Sequence, residues 1–199
     1  MSALFNTSYL PSFEYLKMVS VNSSVCFDEE DTWKKKTVRN RTFILSPNGI
    51  QCLSVPVIAK QHITLTNDCK IDNSQSWTKV HKGALEAALN TAPFFEFIKD
   101  DLWPIYDKKP TFLVDLNQML LALMIKKLKI KTSINTDKKS PDILHDFRKL
   151  SDNHSYSPVL IKEAELNKYN QVFSYKHPFV PNLSALDFLA NCGSLTSDW

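Results

Sequence analysis

The chain has 199 residues, of which 43% are hydrophobic and 23% are charged, and this fits one globular domain with a sizeable core. A net charge of +3 is too small to argue for a nucleic-acid or membrane partner unless the charge is clustered. The three glycines lie too far apart for a glycine-rich phosphate loop or a dinucleotide-binding fingerprint.

The first 30 residues predict a strand, a short helix and a second strand. An apolar run covers 3–6, a helix opened by Pro11 covers 12–18, and a β-rich run covers 24–27. This order is typical of a crossover unit, so we expect an α/β core with some parallel pairing. Tyr9 would then stand just after the first strand, at the sheet edge where ligands gather.

A β-hairpin is predicted over 42–57, with its turn at 46–49, where Pro, Asn and Gly favour a tight reversal. Arg39 and Arg41 are two residues apart, so on an extended strand they point the same way, with Asn40 on the opposite face. Two adjacent guanidinium groups suit a phosphate or a carboxylate. The hairpin therefore suggests an anion site.

The rest of the chain is mostly helical, after two weaker strands at 63–65 and 69–71. Helical spacing and capping residues predict helices at 77–88, from Pro93 to before Pro104, at 113–128, at 142–150 and at 185–192. We expect loops over 132–139 and 151–168. The predicted fold class is α/β or α+β, a small mixed sheet packed with C-terminal helices. We expect one domain over 1–199, sheet-rich over 1–72 and mostly helical over 73–199.

Helical side chains supply three further candidates. His81 lies one turn after Trp77 on an apolar face, where a half-buried imidazole can act as a general acid or base. A core histidine bonded to a backbone carbonyl is the alternative. Asp115 and Asn117 can orient a substrate, or they can cap the helix at whose start they stand.

A basic run, Lys34 to Lys36, follows Trp33. Clustered lysines beside an aromatic ring can contact nucleic acid, and the alternative is a solvated loop and edge strand. The acidic run Asp28 to Asp31 adjoins it and is a candidate structural partner for the arginines. We therefore predict no nucleic-acid partner.

The cysteines and the N-terminal segment indicate the cellular compartment of the protein. The four cysteines lie far apart without a C-x-x-C spacing, and no secretory hydrophobic segment follows Met1. We expect reduced thiols in a cytoplasmic protein. The longest apolar-leaning segment, 112–130, carries an aspartate and several lysines, so we predict no membrane insertion.

Several of these segments, taken together and in order, resemble the WbqC-like protein family of bacteria. They are Tyr9 to Tyr15, Asp28, Trp33 with Lys36, Arg39 to Ile44, Leu53 to Val57, Trp77 with His81, Ala92 to Phe95, Leu113 to Asn117, Tyr169 to Phe173 and Phe179 to Leu189. Many members have Gln-Pro before the tyrosine, where this chain has Thr7-Ser8, and longer members carry a Gly-rich segment where this chain has the short stretch 150–168. If the Gln or the glycines position substrate in other members, this chain has a trimmed or altered site.

Family members often lie among genes for O-antigen and other surface-glycan synthesis, so the resemblance implies a transferase-like role. We interpret the chain as a transferase that moves a group from an anionic activated donor to an amine or hydroxyl. His81 with Tyr9 would be catalytic, without a metal. The substrate would contact Arg39, Arg41, Lys36, Asn40, Trp77, Asp115 and Asn117. No cofactor is indicated. The alternatives are a non-catalytic module that binds a glycan precursor or biosynthetic partner, and a nucleic-acid binder.

Overall fold

The computed structural model describes residues 2–58, 65–135, 143–148 and 168–194. In chain order the elements are β1 (Ser2–Asn6), α1 (Phe13–Ser20), β2 (Ser24–Asp28), β3 (Arg41–Ser46), β4 (Gly49–Ser54), a 3-10 turn (Thr66–Asp68), α2 (Trp77–Leu89), α3 (Phe95–Asp107), α4 (Leu113–Leu128), β5 (Ser133–Asn135), β6 (Ile143–Asp146) and α5 (Ala185–Cys192). The mixed α/β class predicted from the sequence is confirmed.

A four-stranded parallel sheet has the strand order β5-β2-β1-β6. β1 and β2 pair along their full lengths, from Ser2 opposite Ser24 to Asn6 opposite Asp28. The crossover through α1 puts them side by side, as the strand, helix, strand order predicts. β2 buries both faces at its centre, which is typical of a parallel sheet, whereas Leu4 at the centre of β1 is half-buried.

β3 and β4 form a separate antiparallel hairpin, in which Arg41 pairs with Ser54 and Ser46 with Gly49. Gly49 has a φ of 103°, a conformation that residues with a side chain rarely adopt. The Ser46 hydroxyl accepts from the amide of Asn48 at 3.2 Å and donates to the Gly49 carbonyl at 2.8 Å. The predicted hairpin and its turn are confirmed.

Helices α1 and α5 begin at serine caps. The Ser12 hydroxyl accepts from the amide of Tyr15, and the Ser184 hydroxyl accepts from the amide of Leu186. α5 ends at Gly193, which has a φ of 76°. One large hydrophobic core joins the parallel sheet to all five helices.

Two short edge strands were not predicted. Residues 133–135 form β5 where we expected a loop, and 143–146 form β6 where we expected a helix over 142–150. Both pair in parallel with strands that are distant in sequence, β5 with β2 and β6 with β1. That non-local pairing overrides the weak local preference of such short segments.

Helix α3 continues past Pro104 to Asp107, so the prediction that it ends before the proline is wrong. Leu102 and Tyr106 on either side of Pro104 are fully buried. Their packing favours continuation despite the hydrogen bond that the proline cannot donate.

The weak strand predicted at 69–71 consists only of single bridges, from Lys70 to Phe112 and from Ile71 to Val57. In the other weak strand, Leu65 bridges Thr32, and positions 63 and 64 lie outside the described residues. Most of the predicted loop at 151–168 lies outside them too. Of the helices that the structure describes, none combines the length and the apolarity needed to cross a bilayer.

Candidate functional site

The strand order of the parallel sheet reverses beside β1. The chain moves from β1 outward to β2, with β5 beyond it, and β6 then lies on the opposite side of β1. Loops that leave the carboxyl ends of β1 and β6 therefore diverge, and in open parallel sheets ligands bind in the crevice formed there. A ligand site is therefore expected at this edge of the sheet.

Asn6 is the last residue of β1 and lies at this reversal, 1% exposed. Its Nδ2 donates to the Arg148 carbonyl at 3.1 Å and to Asp31 Oδ2 at 3.3 Å. Its Oδ1 is buried and has no hydrogen-bond partner among the described residues. Leaving a buried acceptor without a hydrogen-bond donor costs free energy of folding, and the described residues supply no donor to this oxygen.

Arg39 lies in the turn before β3 rather than on the strand, so the prediction that Arg39 and Arg41 share one strand face is wrong. The Arg39 side chain is fully buried, and its Nη2 lies 2.6 Å from Asp31 Oδ2. The Asp31 side chain is 25% exposed, so the ion pair extends from the buried guanidinium group to the protein surface. The acidic run is thus a structural partner of one arginine, which was one of the sequence alternatives.

Arg148 follows β6, and its side chain links the ends of β2 and β6. Its Nη1 lies 2.9 Å from Asp28 Oδ2 at the end of β2, and its Nη2 lies 2.7 Å from Asp146 Oδ2 at the end of β6. These carboxylates raise the pKa of Arg148. We name this group of side chains the carboxyl-edge cluster. It consists of Asn6, Asp28, Asp31, Asp146, Arg148 and the fully buried Arg39.

A second polar group, built from Tyr9, His81, Tyr106 and Trp77, lies in the core. The Tyr9 hydroxyl lies 2.7 Å from His81 Nδ1 and 2.5 Å from the Tyr106 hydroxyl. Trp77 meets the His81 ring edge-on at 5.3 Å between centroids. All four side chains are buried. We name them the aromatic cluster.

His81 is neutral at physiological pH, because burial lowers its pKa to about 4. A hydrogen bond with the backbone of Ser54 works in the opposite direction and is the weaker effect. Burial also raises the pKa of Tyr9 and of Tyr106 above the usual range. The cluster is therefore uncharged, and the catalytic assignment of His81 and Tyr9 stays a prediction.

Arg41, the other arginine of the predicted pair, is the first residue of β3 and is half-buried. It makes no ion pair within the described part of the chain, and its Nε is buried without a hydrogen-bond partner there. Its strand partner Ser54 is the residue whose backbone bonds to His81. Arg41 thus lies next to the aromatic cluster, and within the described ranges no carboxylate pairs with it.

The other predicted contact residues are divided between surface and core. Lys36 is exposed, with a φ of 62°, and Asp115 is exposed in the first turn of α4. Asn40 is buried, and its Nδ2 donates to the Val55 carbonyl at 2.9 Å. Asn117 is buried too, and its Nδ2 donates to the Arg39 carbonyl at 2.9 Å. The two asparagines therefore fix the backbone just before Arg41, at Arg39 and Asn40.

Sequence reasoning missed Asn6, Asp146 and Arg148 as site residues. A repeated signal was available, because all four strands of the parallel sheet end on a side-chain amide or carboxylate: Phe5-Asn6, Phe27-Asp28, Ile134-Asn135 and His145-Asp146. The last two instances went unrecognised because β5 was predicted as loop and β6 as helix. No group of three or more His, Cys, Asp or Glu residues in the described ranges is placed to hold a metal ion.

The sequence model of the WbqC-like protein family matches residues 7–147. Uncharacterized protein Rv1507c of Mycobacterium tuberculosis is 29% identical over 133 residues, which is 66% of this chain and 58% of that relative. The chain thus spans less than two thirds of that relative's length. No solved structure gives a significant match.

Proposed function

The chain belongs to the WbqC-like protein family, and we propose that it is a transferase of bacterial surface-glycan assembly. It would move a group from an anionic activated donor to an amine or hydroxyl acceptor, in the cytoplasm. The surface-glycan setting rests on the genes among which relatives of this family often lie. The chemical part of the proposal rests on the described residues.

One observation carries the anionic donor: Arg41 is a half-buried guanidinium group without an ion pair among the described residues. A guanidinium fork matches the oxygens of phosphate or carboxylate and keeps its charge at any physiological pH. Lys36 is exposed five residues earlier and adds mobile positive charge. We assign the anionic part of the donor to Arg41, with Lys36 in support.

Arg39 has a different part in this proposal. Its side chain is fully buried and bound to Asp31, and its carbonyl accepts from Asn117. Arg39 would hold the loop between β2 and β3 in place, and so would set the position at which β3 begins with Arg41. The two arginines that the sequence suggested as one site thus divide into a structural and a binding residue.

The aromatic cluster would hold in place the strand pair that carries Arg41. His81 bonds to Tyr9 and to the backbone of Ser54, the strand partner of Arg41. Loss of these bonds would move the strand on which Arg41 lies. If the Tyr9 hydroxyl gives its proton to His81 Nδ1 as it takes one from the acceptor, general-base catalysis would contribute roughly 10²-fold, the low end of the usual range, because a pKa of about 4 makes a weak base.

A non-catalytic binding module is the second candidate, and the burial of Tyr9 and His81 favours it. Tyr9 is fully buried and His81 is 3% exposed. Such a module would bind the same anionic ligand through Arg41 without turning it over. Binding and turnover therefore need separate assays.

A thermal-shift screen tests the proposal. The panel contains nucleotide sugars, acyl-CoA thioesters and aminoacyl donors, and a ligand present at 100 times its Kd stabilises a protein by about 2.7 kcal/mol. We expect one anionic class to raise Tm in proportion to its concentration, and we expect neutral sugars alone to have no effect. A panel in which no anionic donor raises Tm would contradict the proposal.

A further inference from the structure

Asp187 is a buried carboxylic acid in the first turn of α5, where it is 2% exposed. Its Oδ2 accepts from the Tyr169 hydroxyl at 2.7 Å and from Gln171 Nε2 at 3.3 Å. Within the described ranges, no lysine, arginine or histidine forms an ion pair with it. Burying an ionised carboxylate without a counter-ion costs free energy of folding, so this position favours the neutral acid.

No full positive charge in the described part of the chain stabilises an ionised Asp187. Tyr169 covers it, and Cys192 lies on the same helix, where burial and Asp187 together raise the pKa of the thiol. The charged residues of α1 are Glu14 and Lys17, and neither shifts the pKa of Asp187. α3 and α4 also pack against α5, and their charged side chains are exposed or half-buried. The two hydrogen bonds to Oδ2 and the amino end of α5 favour the ionised form, and burial outweighs the hydrogen bonds.

Both hydrogen-bond donors to Asp187 belong to one irregular segment, residues 169–183, which we name the strap. Gln171 also closes the strap on itself. Its Oε1 accepts from the Val180 amide at 2.9 Å, and its Nε2 donates to the Val180 carbonyl at 2.8 Å. The strap contains neither helix nor strand, so no ladder of backbone hydrogen bonds holds it down. Segments of this kind open locally at a lower free energy than a paired sheet does.

The strap also covers part of the β3-β4 hairpin. Phe173 packs in a small apolar cluster with Leu45 of β3, and Lys176 Nζ donates to the Pro47 carbonyl in the hairpin turn at 2.7 Å. Leu45 lies four residues after Arg41, so the two side chains share one face of the strand. A strap that opens would therefore uncover the face of the hairpin on which Arg41 lies.

We infer that the strap is a pH-sensitive switch, in which Asp187 closes the strap on α5 when it takes up a proton and loosens it when it loses that proton. An open strap exposes the carboxyl to water, and the closed strap keeps it buried. Burial raises the pKa of Asp187 from 3.8 to about 6, so the closed strap binds more protons between those values. Closure is therefore favoured at low pH and is weakened as the pH rises through 6. Within the proposed function, on which this consequence alone rests, the hairpin that begins with Arg41 would be held less firmly above pH 6.

Amide hydrogen exchange of the full chain, followed by NMR at pH 5 and pH 7.5, tests the switch. The Val180 amide reports on the strap, because it donates to Gln171. After correction for the intrinsic exchange rate, its protection should be about tenfold lower at pH 7.5, the ratio that follows from pKa values of about 6 when closed and 3.8 when open. Amides of the β1-β2 pair should be better protected at both pH values. Protection of Val180 as strong as that of the β1-β2 pair would overturn the inference, because the strap would then open only with the whole fold.

Asp187→Asn isolates the switch, because the amide keeps an acceptor for Tyr169 and cannot ionise. The pH effect at Val180 should shrink to whatever His177 contributes through its contact with the Pro47 carbonyl. An equal pH effect in wild type and Asp187→Asn would overturn the inference.

Tyr169→Phe removes a hydrogen bond that lowers the pKa of Asp187, so the pH at which protection of Val180 falls should move upward. Tyr175→Phe, at an exposed tyrosine of the same strap, is the matched control and should leave that pH unchanged. Circular dichroism on each variant establishes that the fold is kept, and the same pH in Tyr169→Phe as in wild type would contradict the inference. None of these readouts involves a ligand, so their failure would leave the donor proposal at Arg41 standing.

Discussion

Arg39 Nη2 lies 2.6 Å from Asp31 Oδ2, and this pair connects a fully buried guanidinium group to the surface. It fixes the loop that follows β2 to the turn that precedes β3. The parallel sheet and the hairpin are thereby joined by charge as well as by the hydrophobic core.

Asp31→Asn should lower the free energy of unfolding by about 2–4 kcal/mol, because it leaves the Arg39 charge buried and less well compensated. Urea unfolding at pH 7 measures the change. Asp107→Asn removes an exposed partner of Lys82 and should cost less than about 1 kcal/mol. Equal losses in the two variants would show that burial of Arg39 does not control the energy of its pair.

His81 gives stability a defined pH dependence. Its pKa is lowered from 6.5 to about 4 in the folded state, so the unfolded chain binds more protons between those pH values. Stability from this group therefore falls as the pH drops from 6.5 toward 4. The full effect is roughly 3 kcal/mol at 1.36 kcal/mol per pKa unit.

His81→Asn tests this dependence, and urea unfolding at pH values from 7 to 4 is the measurement. The difference between wild type and variant isolates the histidine, because other titrating groups are common to both. We expect the variant curve to be flatter over this window. His145→Asn, at an exposed imidazole, is the matched control for the substitution itself. Parallel curves for wild type and His81→Asn would contradict the neutral, buried state of His81.

Asp187 should behave in the opposite way. It is buried, its Oδ2 accepts from the Tyr169 hydroxyl at 2.7 Å, and burial raises its pKa from 3.8 to about 6. The folded state binds more protons between those values, so the stability that the acid form gives is lost as the pH rises through 6. Above that pH the carboxylate carries a burial cost of roughly 3 kcal/mol.

Asp187→Asn should therefore stabilise the protein at pH 7.5, since the amide can still accept from Tyr169 and carries no charge. The advantage should shrink at pH 5, where the wild-type carboxyl is mostly protonated. Thermal unfolding at the two pH values checks this. A lower Tm for the variant at pH 7.5 would mean that the charged form is needed in the folded state.

Elements stabilised by local interactions were predictable from the sequence. The β1-α1-β2 unit has a serine cap and short β-rich runs, and the hairpin has a Pro-Asn-Gly turn. β5 and β6 were not predictable, because strands of three and four residues form only by pairing with β2 and β1. The helix past Pro104 depends likewise on the burial of Leu102 and Tyr106.

The same difference between local and non-local interactions decides which residues of the candidate site were predictable. Tyr9 and Arg41 were identifiable from position and residue type. The burial of Arg39 was not, because it depends on Asp31, eight residues earlier in the chain, meeting a turn that sequence periodicity reads as strand. Arg148 belongs to the site only because β6 places it beside Asn6. Tertiary pairing of distant segments decides such cases.

The central claim is that Arg41 binds the anionic part of a donor, and titration of pyrophosphate into wild type and Arg41→Gln tests it most directly. Lys79→Gln, which removes an exposed lysine on α2, is the control for net charge. We predict that wild type and the control bind pyrophosphate alike, and that Arg41→Gln binds at least about tenfold more weakly, as loss of a charged hydrogen bond implies. Equal affinity in Arg41→Gln and wild type would contradict the account.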